Sequence, residues 1–431
     1  FVGLVSEFGR RHLIIFVIVM LVLTLVACGE DAAPEATPIP QQLRVSILTN
    51  QIAPQGDLYL EGQILNWGRE NGFEVSFVRN IADTANSPDC GQISGSAMPE
   101  LLLTDKLVEI TALVNDLGQG VGGFTTGALT AVSNGGKYWA VPYASSTYVF
   151  FVRQDKLDAF GLPTPNTWED ALVAASEMHI SDEFWGWGMQ LGDTGDTRAS
   201  FRAQLWAFGG SIWDEAGEPA IDSLATRQVL DFLSDAWDRG LIPPDAINWA
   251  EDSNNRAFIT GQVGMVLNAG TILTYLLEND AEMLDNTTVT LIPEGPAGRF
   301  IGGGFLQWVL FKQSEQISAC LSLTEWLFAP DRLRGYYEAA SGTYLPTSPA
   351  LLNDELWQRP HLKDVAKMVP YTYATGYPGP TTPWALQAMQ TDFIPKMVRR
   401  VLVEGWTTDE AIREADETLW RIHGEWEKRL N

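Results

Sequence analysis

Basic residues are scarce in this chain: 28 Lys and Arg stand against 54 Asp and Glu over 431 residues, a formal net charge of −26. A polyphosphate backbone is repelled by such a balance, which excludes nucleic acid as a partner. Cysteine occurs three times, too seldom for a disulfide framework. Histidine occurs four times. His179, His361 and His423 lie far apart, with no His-Glu-x-x-His or paired-cysteine spacing, so no zinc site is expected. A Gly-x-Ser-x-Gly elbow and a Gly-x-x-x-x-Gly-Lys loop are both missing. Gly118 to Gly123 matches Gly-x-Gly-x-x-Gly, but no acid occurs from Phe124 to Gln154. A dinucleotide site needs one ~20 residues on, so this stretch reads as a loop and no cofactor is expected.

One long apolar run is present. Leu13 to Val26 is apolar except for Thr24 and follows Arg10 and Arg11. Its fourteen residues fall short of the ~20 a membrane-spanning helix needs and suit a signal-peptide core. The run ends in Leu25-Val26-Ala27-Cys28, which resembles the bacterial lipobox. That resemblance implies residues 1–27 as a lipoprotein signal peptide and Cys28 as the lipidated mature N-terminus. Arg10-Arg11 also resembles a twin-arginine signal, so the export route stays open. Gly29 to Gln42, with three prolines and three acids, has no apolar periodicity and reads as a solvated tether over residues 28–42.

About 390 residues follow, enough for two lobes with their own cores. Cys90 and Cys320 either pair in an oxidising compartment or remain two separate thiols. Sixteen Trp, eleven Tyr and nineteen Phe fill cores and also suit a cleft whose aromatic faces pack on sugar C–H groups.

"LRVSILTN" (Leu43–Asn50) alternates as a strand, a helix follows near Leu58–Asn71, and "FEVSFVR" (Phe73–Arg79) is a second strand. "PELLLTD" (Pro99–Asp105) reads as a third, buried strand, and Asp83 to Met98 as a loop. This rhythm predicts an α/β lobe with a mostly parallel sheet. Thr167 with Asp170 three residues on predicts a capped helix over Thr164–Met178. The acids Asp193 and Asp196 in "LGDTGDTRAS" suit hydrogen bonding of sugar hydroxyls, but the same residue types would serve a glycosidase that uses two cleft carboxylates.

Five segments resemble, in order, family 1 of the extracellular solute-binding proteins, the sugar-type receptors of ABC importers. They are "GKYWAVPYASSTYVFFVRQDKLDAFGLPTPNTWEDAL", "LWAFGGSIWDEAGEPAIDS", "AFITGQVGMVLNAG", "LIPEGPAGRFIGGGF" and "SGTYLPTSPAL". The chain departs from the pattern over Asp83–Met98 and in having Pro99-Glu100 where the family has Pro-Asp. The resemblance implies a two-lobed periplasmic-binding-protein-like fold of type II, joined by three hinge crossings near Tyr143–Thr147, Phe300–Gly304 and Ser341–Pro346. Residues 43–143 plus 304–342 would form the first lobe and 148–301 plus 346–431 the second, which places Cys90 and Cys320 in one lobe. It also implies no catalytic residues, a monomer on the extracytoplasmic face of the bacterial membrane, and a permease as partner, although a sensor would fit the same chain. Expected ligand contacts are Asn50, Thr104 and Asp105 after strands of the first lobe, and Tyr143, Ser145 and Ser146 at the first crossing. Asp193, Asn268 and Thr271 are expected from the second lobe, Gly303 and Gly304 from the second crossing, Tyr344 from the third, and Trp384 as an aromatic platform. The alternative is a lipid-anchored glycoside hydrolase.

Overall fold

The computed structural model describes residues 41–47, 53–79, 81 and 87–430. The expected signal peptide, the tether up to residue 40, the lipidation site Cys28 and the ligand contact Asn50 lie outside the described residues. The strands are β1 (Gln41–Ser46), β2 (Phe73–Val78), β3 (Cys90–Ser94), β4 (Ser133–Asn134), β5 (Lys137–Tyr138), β6 (Val141–Ser146), β7 (Val149–Arg153), β8 (Met265–Asn268), β9 (Thr287–Thr290), β10 (Ile301–Gly302), β11 (Gly304–Leu310), β12 (Leu345–Pro346) and β13 (Thr372–Tyr373). One sheet has six strands in the order β12-β6-β11-β3-β1-β2, and a second has three in the order β8-β7-β9. β6 belongs to the first sheet and β7 to the second, so the chain passes between them at Thr147 and Tyr148.

Neither sheet is mostly parallel, contrary to the sequence expectation. β1 and β3 run parallel, but β11 is antiparallel to both β3 and β6, and β7 is antiparallel to β8 and β9. The reason is connectivity. β11 comes back from the other lobe and inserts between β6 and β3, a pairing that no local strand-helix-strand rhythm announces.

A second correction concerns the segment around Cys90. "PELLLTD" forms a helix, Met98–Leu103, and the third strand is Cys90–Ser94, inside the stretch expected to be a loop. Pro99 in the first turn presets a helical φ, and three leucines are good helix formers. The strand depends on Gly91: its φ is +143°, and a Cβ there would lie 2.3 Å from the Ser46 carbonyl oxygen. Only glycine lets the two backbones approach this closely. The first strand also begins at Gln41, two residues inside the expected tether, where the Gln42 amide donates to the Glu74 carboxylate across 2.6 Å.

Local signals elsewhere hold. The helix Trp168–Met178 opens on a complete capping box, with the Asp170 N–H donating to Thr167 Oγ1 and the Thr167 N–H to Asp170 Oδ2, both at 3.0 Å. Pro142 sits inside β6 where the pairing register with β11 shifts between Leu306 and Gln307. Such a bulge tolerates a residue without an N–H.

The core of the first lobe lies between the six-stranded sheet and the helices Pro54–Asn71, Ile317–Leu327 and Pro330–Ala339. Cys90 on β3 is bonded to Cys320 on the helix Ile317–Leu327, with 5.9 Å between Cα atoms and both residues fully buried. In the second lobe the helices Ser253–Ile259 and Gly195–Ala207 lie on β8 of the three-stranded sheet, and Gly195–Ala207 packs against the helix Leu224–Asp238. The C-terminal helices Phe393–Leu402 and Thr408–Leu430 pack on the latter. Part of the segment assigned to the second lobe after Pro346 packs instead on the first. The Ser348 hydroxyl donates to the Val121 carbonyl, and Trp357 meets Tyr337 edge-on at 6.0 Å.

Candidate functional site

A cavity of about 270 Å³ lies at one end of the six-stranded sheet. Its first-lobe wall is built from Ser94, Gly95 and Ser96 at the end of β3, Ser146 at the end of β6, and Gly304 to Gln307 on β11. Its opposite wall comes from Ala374 and Thr375, just after β13, with Thr381 and Leu386. Tyr344, before β12, closes one side. Chain polarity explains the convergence: β3 and β6 end at the cavity, and β11 starts there.

The floor is a close crossing of backbones. The Gly303 N–H donates to the Tyr373 carbonyl at 2.9 Å, and the hydroxyls of Thr147 and Thr372 share a hydrogen bond at 2.7 Å. A Cβ on Gly303 would lie 2.3 Å from both the Ser146 carbonyl oxygen and Thr372 Cγ2, and one on Gly304 2.9 Å from Ser146 Oγ. Gly303 is thus required by proximity, whereas at Gly304 the contact is to a hydroxyl that can rotate away.

Beside this floor, the second lobe presents a polar network. Asp196 Oδ2 accepts from the side-chain amides of Asn254 at 2.8 Å and Asn268 at 3.1 Å, and its carboxyl is also hydrogen-bonded to Tyr148. Burial pushes the Asp196 carboxyl up to about 6, reinforced by the Glu251 charge, although the hydrogen bonds oppose the shift. Burial and the Asp196 charge likewise raise the Tyr148 phenol far above its ordinary range. The Thr271 hydroxyl donates to Asn268 Oδ1 at 2.8 Å. Half-buried aromatic rings stand at the floor crossing: Tyr373 and Tyr377 are 4.1 Å apart by centroids, and Phe300 lies 5.7 Å from each.

The structure therefore places the sequence-derived candidates in three groups. Ser146, Gly303, Gly304 and Tyr344 line the cavity. Asn268 and Thr271 belong to the adjoining network. The others are elsewhere. Tyr143 is 1 % exposed and packs on Phe328 and Tyr336, with its oxygen accepting from the Gln92 amide at 2.7 Å. Ser145 is equally buried. Successive strand residues face opposite sides, so Ser145 and Ser146 cannot both line the cavity. Thr104 and Asp105 end a helix rather than a strand and are exposed: Thr104 Oγ1 donates back to the Glu100 carbonyl, and Asp105 pairs with Lys312. Asp193 is exposed and paired with Arg198. The Trp384 indole donates to the Gly217 carbonyl at 2.8 Å, and its ring makes a T-shaped contact with His423.

Sequence reasoning missed Ser94, Gly95 and Ser96 because their strand was read as a loop. It also missed Ala374 and Thr375, just before the recognisable "YPGPTTP" stretch, and Thr381 within it. Tyr148 was within reach, one residue beyond the expected crossing.

A family model described as bacterial extracellular solute-binding protein matches residues 78–392. Among solved structures, the chain resembles the sugar-binding protein MalE from the phytopathogen Xanthomonas citri, at 18 % identity over 90 % of this chain and 98 % of that one, with a TM-score of 0.72. It also resembles maltose-bound MalE3 of T. maritima, at 19 % identity over 88 % and 99 % of the two chains, with a TM-score of 0.66. The cyclic α-maltosyl-1,6-maltose binding protein of Arthrobacter globiformis is similar at 15 % identity over 89 % and 99 %, with a TM-score of 0.69. At these identities the likeness establishes a common fold.

Proposed function

This chain belongs to the bacterial extracellular solute-binding proteins, and from that membership we propose that it captures a sugar or oligosaccharide by lobe closure and delivers it to the permease of an ABC importer. Membership of a family of binding proteins sets the glycoside hydrolase alternative aside. The observation that carries the reading is the cavity itself, lined by residues of both lobes and floored by the crossing at Ser146, Gly303 and Thr372. A solute held there touches both lobes only when they close on it. Binding then shifts the open–closed equilibrium by its differential affinity for the two states. Ser146 and Tyr344 would meet the ligand from the first lobe and the network around Asn268 and Thr271 from the second. The rings of Phe300, Tyr373 and Tyr377 supply apolar faces of the kind that pack on sugar C–H groups.

In this reading the chain is a monomer tethered to the outer face of the cell membrane through a lipid on Cys28. The lipobox-like Leu25-Val26-Ala27-Cys28 supports the anchor. The Cys90–Cys320 bond fits an oxidising extracytoplasmic setting. Among the described residues no helix is long and apolar enough to cross a membrane. The lobes divide close to 43–143 plus 304–342 and 148–301 plus 346–431, with Ser348 to Trp357 docked on the first.

The test is a thermal-shift screen of the protein against mono- and oligosaccharides and polyols. A ligand at 100 times its Kd adds roughly 2.7 kcal/mol to stability. A midpoint raised by one sugar class, with the ligand recovered intact, is the expected outcome. A screen flat across all saccharides would refute the sugar assignment.

A further inference from the structure

Arg202 is a half-buried cation on the cleft side of the second lobe, and it has no carboxylate partner among the described residues. Its Nε donates to the Arg198 carbonyl at 3.3 Å, and its guanidinium carbon lies 5.5 Å from the centre of the Trp206 ring. The guanidinium occupies the space that a side chain on Gly302 would need: a Cβ there would be 2.5 Å from Nη2. Gly302 adjoins cavity-lining Gly303 and pairs with Tyr373, the neighbour of cavity-lining Ala374. Arg202 therefore stands at the edge of the cavity floor.

The acids of the adjoining polar network and of the loop before the helix Gly195–Ala207 are already engaged. Asp193 pairs with Arg198, Asp196 accepts from Asn254 and Asn268, and Glu251 Oε2 accepts the Gly195 N–H at 3.0 Å. A second donor nearby is also unmatched: the Trp206 indole N–H is buried without an acceptor, on a residue 2 % exposed. Burial pulls the Arg202 guanidinium down to about 10, a cost opposed only by the Tyr148 phenol and reinforced by the Arg198 charge, with no carboxylate among the described residues acting on it. A desolvated cation is retained in a binding cleft at such a cost when something negative arrives to pair with it. A planar guanidinium matches the two oxygens of a carboxylate or the oxygens of a sulfate or phosphate ester.

We infer that the solute of this cleft is an anionic saccharide whose charged group pairs with Arg202. The inference rests on the saccharide reading above and narrows it. Isothermal titration of the full-length chain in mild detergent tests it. The probes are glucuronate, galacturonate and its trimer, a sulfated and a phosphorylated hexose, and the neutral sugars glucose, galactose and maltose. Acidic sugars are expected to bind more tightly than their neutral counterparts, and the best acid probe distinguishes carboxylate from ester. Arg202→Gln is expected to lower affinity for that probe roughly 100-fold, the scale of a hydrogen-bonded charge, and Arg202→Lys to restore part of it. The wild-type preference for acid over neutral sugar needs no variant, so a misfolded Arg202→Gln cannot mask the answer. Neutral sugars binding as well as acidic ones, or unchanged acid binding in a folded Arg202→Gln, overturns the anionic assignment and leaves the saccharide reading standing. No binding of any probe, acidic or neutral, overturns both.

Discussion

Breaking the Cys90–Cys320 bond should destabilise the protein by an amount that its topology sets. The bond joins β3 to the helix Ile317–Leu327 across a sequence separation of 230. In the chain-entropy account, closing a loop of that length removes roughly 5 kcal/mol of conformational freedom from the unfolded state. The compact unit Gln42–Asn431 comprises 390 residues. At about 2.1 cal/mol/K per residue its unfolding entropy near Tm is roughly 0.8 kcal/mol/K, so the loss converts to a fall of roughly 6 °C. Both cysteines are fully buried, so reductant reaches them only on unfolding. The assay therefore compares protein refolded and scanned with reductant against protein scanned without, while alkylation and intact mass report the state of each thiol. The bridged protein should expose neither Cys90 nor Cys320 to alkylation until it is unfolded and reduced. Equal midpoints for two samples of verified thiol state would refute the loop-entropy reasoning. Free thiols at both positions in protein exported from the cytoplasm would refute the pairing itself.

Gly303→Ala should lower stability by about 2 kcal/mol or more and abolish ligand binding, because its Cβ would lie 2.3 Å from the Ser146 carbonyl oxygen and Thr372 Cγ2. Gly62→Ala, inside the helix Pro54–Asn71 with nothing within 4 Å, should instead gain up to ~1 kcal/mol. Urea denaturation of the two variants checks the contrast, and equal effects would sink it. Asp196 makes stability depend on pH. Its folded carboxyl titrates at about 6 against an ordinary 3.8, so the folded state binds the extra proton and the contribution of Asp196 to stability falls as pH rises through that window. Above about pH 6 the cost levels off at roughly 3 kcal/mol. Asp196→Asn removes this titration, so its stability relative to wild type should decline from pH 7 to pH 4; a difference that is constant with pH would be the contrary result. Cys28→Ala should abolish incorporation of labelled palmitate and release the protein from the membrane fraction, and unchanged labelling would remove the anchor from the reading.

Much of this protein could be read from its residues alone, wherever the governing interaction is short in sequence. The capping box of Thr167 and Asp170 needs only four residues. Short runs of apolar, β-branched and aromatic residues marked β1, β2, β7 and β11 because such a run is a property of one strand. The order of the five matching segments pointed to the family, and the glycines at 303 and 304 marked a crossing because close backbone approach at 303 leaves few other residues possible. What depended on partners distant in the chain was invisible. Cys90–Ser94 is a strand because Gly91 can lie against Ser46, and "PELLLTD" is a helix although its leucines suit a buried strand equally well. Tyr143 and Ser146 differ in fate by which face of β6 meets the core, and a shift in register with β11 helps decide that. The hydrogen bond that ties the Trp384 indole to Gly217 and the packing that sets Arg202 over Gly302 both join residues far apart in the chain. Sequence specifies local conformation through local sterics and hydrogen bonds, whereas the pairing of strands, cysteines and charges is settled only when the chain closes on itself and distant groups must share the same space.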